Sequence, residues 1–76
     1  MNQENLNTII SNNIKKYRIK ENISKTKLSY LTKISKSTIN NIENNTYNKE
    51  ITIITLYRIS KVLKVPINKF FEESND

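Results

Sequence analysis

The amino-acid sequence predicts an all-α fold, one compact domain of five short helices. Three observations carry that expectation. Apolar residues recur at spacings of three and four along most of the chain, which is the period of a helix with one buried face. Ser24 and Ser35 stand where hydroxyl N-caps would open two short helices. Pro66 interrupts one apolar stripe and suits the first turn of a further helix.

Each element follows in order. Leu6, Ile10, Ile14 and Tyr17 draw a stripe on a first helix of about residues 8–21, and Asn22 ends it because asparagine tolerates the left-handed backbone of a helix terminus. Ser24 caps a second helix of about residues 25–32 by accepting from the amide near Lys27, with Leu28 and Leu31 inward. Only Lys33 and Ile34 separate it from Ser35, which caps a third helix of about residues 36–44 with Ile39 and Ile42 inward, so the two helices cross steeply to share a core. A polar loop from Asn44 to Lys49 follows. Ile53, Leu56, Ile59 and Leu63 mark a fourth helix of about residues 52–64, and Ile67 and Phe70 the inner face of a fifth after Pro66. Tyr17 and Tyr57 are expected as core aromatics with hydroxyls at the surface.

Seventy-six residues support one modest core, so residues 1–76 are taken as a single domain with an acidic, frayed tail at about 72–76. With no Cys, neither a disulfide nor a thiolate metal site reinforces that core. The polar N-terminus and the short apolar runs predict neither signal peptide nor membrane span, hence a soluble cytoplasmic protein. Lacking His and Cys, the chain lacks the commonest general base and the thiol nucleophile. Lacking Gly, it has no glycine-rich phosphate loop. An enzyme is therefore not expected, and no cofactor, metal or small-molecule ligand is evident.

The net charge of +6 is unevenly spread. Residues 15–36 carry Lys15, Lys16, Arg18, Lys20, Lys25, Lys27, Lys33 and Lys36 against Glu21 alone, the footprint of a polyanionic partner. An A+T-rich coding sequence is a second account of so much Lys, Asn and Ile. Lys15, Lys16 and Lys20 read as solvated.

Ser24 to Asn45, SKTKLSYLTKISKSTINNIENN, resembles the helix-turn-helix of the Cro and phage-repressor family, often called XRE-like. Leu28 and the small Ser29 fall on that family's Leu-Ala pair and Ile34 on the buried position of its turn. Ser35, Lys36, Ser37, Thr38, Ile39, Ile42, Glu43 and Asn44 follow its recognition-helix run. Residues 57–63 and 65–71 are similar to its last two helices. Lys33 and Asn45 stand where the family usually has Gly, and the loop after Asn45 is slightly longer.

The resemblance implies a lambda-repressor-like domain whose third helix enters the major groove of double-stranded DNA. Lys36, Ser37, Thr38, Asn40 and Asn41 become candidates for base contact, with Lys36 suited to guanine and Asn41 to adenine. Ser24, Lys25, Thr26, Ser35, Asn44, Tyr47 and Lys49 become candidates for phosphate contact; Tyr47 has core-edge packing as its alternative. The resemblance also implies an ion pair between Arg18 and Glu43. Ile67, Phe70 and Phe71 supply more apolar area than one short helix can bury, and one of the two Phe residues is expected at a homodimer interface. The implied protein is a repressor or other transcriptional regulator binding a palindromic operator, with half-sites about 34 Å apart. The alternative is a protein-interaction or antitoxin-like module of the same fold; an amphipathic membrane-surface role is weaker, because the apolar stripes are needed for the core.

Overall fold

Asn5 accepts a hydrogen bond from the amide of Asn7 through its side chain, and this cap starts the first helix two residues before the expected boundary. The structure is a computed structural model that describes residues 5–47 and 49–73. Four α-helices and one 3-10 helix make up its regular structure: α1 (Leu6–Lys20), α2 (Lys25–Thr32), α3 (Lys36–Glu43), α4 (Ile53–Leu63) and the 3-10 helix Ile67–Phe71. Of the acidic tail, Glu72 and Glu73 are exposed and outside any helix, and residues 74–76 lie outside the described residues.

The elements share one apolar core. Ile10 and Ile14 of α1, Leu28 of α2, Ile39 and Ile42 of α3, Leu56, Ile59 and Leu63 of α4 and Phe70 of the 3-10 helix meet there. Each such side chain, fully buried, contributes about 1.5–3 kcal/mol. Helix α1 packs against α3, α4 and the 3-10 helix, while α2 packs against α3 and α4. The pair α2–α3 is thereby held on a base made by the first and last elements.

Several inward expectations are corrected. Leu6 is exposed, and the buried stripe of α1 runs instead through Ile9, Ile10, Asn13 and Ile14, with Tyr17 half-buried against Phe70. Leu31 is 43% exposed and Thr32 is buried in its place, its hydroxyl donating to the carbonyl of Leu28. Ile53 is exposed and Tyr57 is 55% exposed. Both sit on one side of α4, rotated away from the Leu56–Ile59–Leu63 face. Tyr57 is accordingly not a core aromatic.

The fifth helix is also corrected in kind. Ile67–Phe71 is a short 3-10 segment, and Pro66 precedes it in extended conformation rather than occupying its first turn. The reason lies in Asn13. Its buried Nδ2 donates to the carbonyls of Phe70 and Glu72, both at 2.8 Å, which satisfies the end of the segment without further helical turns.

All four α-helices are followed by a left-handed residue, and none is glycine: Asn22, Lys33, Asn45 and Lys64 have φ between 59° and 64°. After α1, α3 and α4 the next amide, that of Ile23, Thr46 or Val65, returns to the carbonyl of Arg18, Asn41 or Ser60. Lys33 ends α2 by donating its amide to the carbonyl of Ser29. The turn thus keeps its left-handed form at Lys33, with a cost of about 1 kcal/mol.

Candidate nucleic-acid interface

Local chemistry builds the α2–turn–α3 unit. The Ser24 hydroxyl accepts from the Lys27 amide at 3.0 Å, and the Ser35 hydroxyl accepts from the Thr38 amide at 3.1 Å while donating to the Thr38 hydroxyl. Between the helices, Ser29 Oγ donates to the Ile34 carbonyl at 2.6 Å and the Ile34 amide donates to Thr32 Oγ1 at 3.3 Å. Ser29 can do this because a small side chain there lets the turn approach α2 closely.

Arg18 and Glu43 tie the unit to α1. Arg18 Nε and Nη2 donate to the two oxygens of Glu43 at 2.6 and 2.9 Å, and Nη1 donates to the Ile23 carbonyl at 2.8 Å. The Glu43 side chain is fully buried and that of Arg18 is 12% exposed. A planar bidentate pair of this kind fixes orientation as well as distance. The end of α3 is therefore locked to the end of α1.

The outer face of α3 carries the base-contact candidates together. Lys36 and Ser37 are exposed, and Thr38, Asn40 and Asn41 are half-buried. Three of them have side-chain partners, Thr38 through its hydroxyl, which accepts from Ser35 Oγ. Asn40 Oδ1 accepts from Lys25 Nζ at 2.7 Å, and Asn41 Oδ1 accepts from Thr46 Oγ1 at 3.2 Å. Among the phosphate-contact candidates, Ser24, Thr26, Ser35, Asn44 and Lys49 are exposed and Lys25 is half-buried. Tyr47 is half-buried and packs against the core, as the core-edge alternative has it.

Electrostatics favour an anion beside the α2–turn–α3 unit. Residues 24–47 hold Lys25, Lys27, Lys33 and Lys36, and their only acid is Glu43. Because Glu43 is buried against Arg18, no free carboxylate of the unit opposes an approaching phosphate. Among the described residues no acidic, His or Cys cluster is arranged to hold a metal. None of their helices is long and apolar enough to cross a membrane.

The C-terminal candidates are separated by burial. Phe70 is fully buried and is corrected to a core residue, Ile67 is half-buried against the core, and Phe71 is 38% exposed. Phe71 joins Leu6, Ile10, Ile51, Ile53 and Leu56 around an open groove of about 350 Å³.

Two links that brace α1 involve residues outside the predicted set. Asn13 is polar, yet it lies three and four residues from Ile10 and Ile9 and four from Tyr17, on the buried stripe. Asn45 Nδ2 donates to Thr8 Oγ1 at 2.8 Å and so fastens the loop after α3 to α1; nothing in the local pattern signals this contact.

A capped α2, a tight left-handed turn and a braced α3, in a unit rich in lysine whose one acid is buried, define a helix-turn-helix protein. The chain belongs to the helix-turn-helix family HTH_3, whose model matches residues 14–70. A transcriptional regulator of the HTH_3 family from Vibrio cholerae is similar in structure, with TM-score 0.77 and 29% identity over 87% of this chain and 36% of that one. The restriction-modification controller protein C.Esp1396I is similar at TM-score 0.77 and 30% identity, over 91% of this chain and 88% of that one. A Tyr-to-Phe mutant of the same controller matches at TM-score 0.78 and 30% identity, over 92% and 86%. This chain thus spans about a third of the Vibrio regulator and most of the controller. Comparison with curated protein sequences finds no match. Family and fold together make the chain a helix-turn-helix protein, similar to proteins of transcription regulation.

Proposed function

We propose that the protein is a sequence-specific regulator, acting in the cytoplasm as a repressor, that inserts α3 into the major groove of a palindromic operator as a homodimer. The observation that carries this reading is the outer face of α3: Lys36, Ser37, Asn40 and Asn41 lie together on a helix whose inner face is locked by Ile39, Ile42 and the Arg18–Glu43 pair. The major groove is about 12 Å wide, admits one helix, and presents a distinct pattern for each base pair. In this docking Lys36 and Asn41 meet base edges, with Ser37, Thr38 and Asn40 beside them. The first turn of α2, with Ser24, Lys25 and Thr26, faces the backbone, where its free amides and dipole favour phosphate. Ser35, Asn44 and Lys49 flank the same strand.

For the dimer, the groove around Phe71 offers exposed apolar side chains, and a symmetric pair would present two copies of α3 to the two halves of an inverted repeat. Selection of bound sequences from a random double-stranded pool tests the reading. An enriched inverted repeat with half-site centres one helical turn apart is expected. Uniform recovery of all sequences would refute specific regulation, and an enriched single half-site would refute the dimer alone.

A further inference from the structure

The bond between Lys25 and Asn40 joins two groups that the DNA reading assigns separate tasks, one at the phosphate backbone and one at the base edges. Lys25 begins α2 and Asn40 lies on α3, so the contact bridges the two halves of the helix-turn-helix. Both side chains are half-buried.

We propose that Lys25 is a specificity-determining residue: by donating to Asn40 Oδ1 it fixes which end of that carboxamide faces the bases. The inference rests on the docking proposed above. An ammonium group has three donors and no acceptor, so it accepts only one of the two amide orientations. The reversed orientation sets Nδ2 against Nζ, donor against donor. Left alone, the terminal torsion of asparagine is broad and roughly twofold, and either end of the amide is available. With Lys25 in place, Oδ1 is held toward α2 and Nδ2 is the group left to meet a base. The other two donors of Nζ remain for a phosphate oxygen, so one lysine touches the backbone and sets the amide at once.

This arrangement has a definite consequence for sequence. A donating Nδ2 suits guanine, with its O6 and N7 acceptors, and thymine, with its O4 acceptor, and it opposes cytosine, whose groove edge presents the N4 donor. Asn40 held in this way rejects cytosine on the strand that it faces. Freed from Lys25, the amide turns its oxygen to cytosine N4 and the rejection is lost. A lysine with a purely electrostatic role weakens every sequence alike.

The experiment uses the full chain and the best sequence from the random-pool selection, with its single-base variants, titrated at several salt concentrations. Asn40→Ala first identifies the base pair at which discrimination depends on Asn40. Lys25→Met is then expected to reduce discrimination against cytosine at that pair by about 5- to 150-fold and to lower the salt slope by about one unit. Lys25→Gln also loses the charge, but it brings an acceptor beside its donor and so meets either orientation of the Asn40 amide. It is expected to show the same fall in salt slope with the discrimination still reduced. Thermal unfolding checks each variant, and Lys25→Ala replaces Lys25→Met should the latter not fold. Uniform weakening of all sites by Lys25→Met overturns the proposal and leaves the docking intact, as does Asn40→Ala without effect on any base preference. A wild-type chain that enriches no sequence overturns both.

Discussion

Arg18 makes three hydrogen bonds with three different nitrogens, two to Glu43 and one to the Ile23 carbonyl, and so joins α1, the turn after it and α3. A buried pair of this kind adds little net stability over an apolar pair, yet losing one partner strands the other charge. Arg18→Met is therefore expected to destabilise the fold by about 3 kcal/mol in urea unfolding, because Glu43 has no solvent to turn to. Arg18→Met combined with Glu43→Leu is expected to regain most of that loss. Equal losses in the single and double variants would show that the pair matters only for packing. This pair was legible through the resemblance, since nothing in local spacing joins residues so far apart. Asn13 was legible in principle, because its position on the α1 stripe is set by period alone. Its carbonyl partners, in a segment near the other end of the chain, were not.

Helix ends are where this chain departs most from expectation for its family resemblance. It has no glycine, so the left-handed residues that terminate its four α-helices are two asparagines and two lysines. Asparagine bears that conformation readily, whereas lysine carries a steric cost. Lys64→Gly is expected to raise stability by roughly 0.5–1 kcal/mol, since relief of strain outweighs the added freedom of the unfolded chain. Lys64→Val should lower it, and thermal unfolding of the two variants decides the matter. A destabilising Lys64→Gly would mean that the native backbone at this position is not strained.

Elements themselves were largely readable. The limits of α2 and the caps at Ser24 and Ser35 follow from side-chain chemistry within four residues, so sequence suffices for them. The inward faces of α2 and α4 were less readable. Leu31, Ile53 and Tyr57 fit an apolar period and yet stay exposed, because the rotation of each helix is settled by its neighbours and not by its own pattern. The same limit hid the 3-10 character of Ile67–Phe71, which depends on the distant amide of Asn13.

At the scale of the whole molecule, α2 and α3 form a lysine-rich unit whose one acid is buried, and a separate open groove carries Phe71, Leu6 and Ile53 with Asn7 and Glu50 at its side. The first suits DNA and the second suits a symmetric partner. Phe71→Asp should shift the sedimentation equilibrium toward monomer by at least tenfold in Kd while leaving the thermal midpoint of the monomer nearly unchanged, because Phe71 is partly solvated already. A wild-type chain that stays monomeric both free and on an inverted repeat would remove the dimer from the account.

The central claim is that α3 reads base sequence while α2 holds the backbone. Titration of wild type and Asn41→Ala against the preferred operator and against random DNA of equal length, at one salt concentration, tests it most directly. Asn41 is uncharged, so its loss should leave random-DNA affinity nearly unchanged, cost about 1–3 kcal/mol on the operator and relax the preference at one base position. An Asn41→Ala protein that binds the operator with undiminished affinity and unchanged base preferences would contradict the claim that this face of α3 lies against the bases.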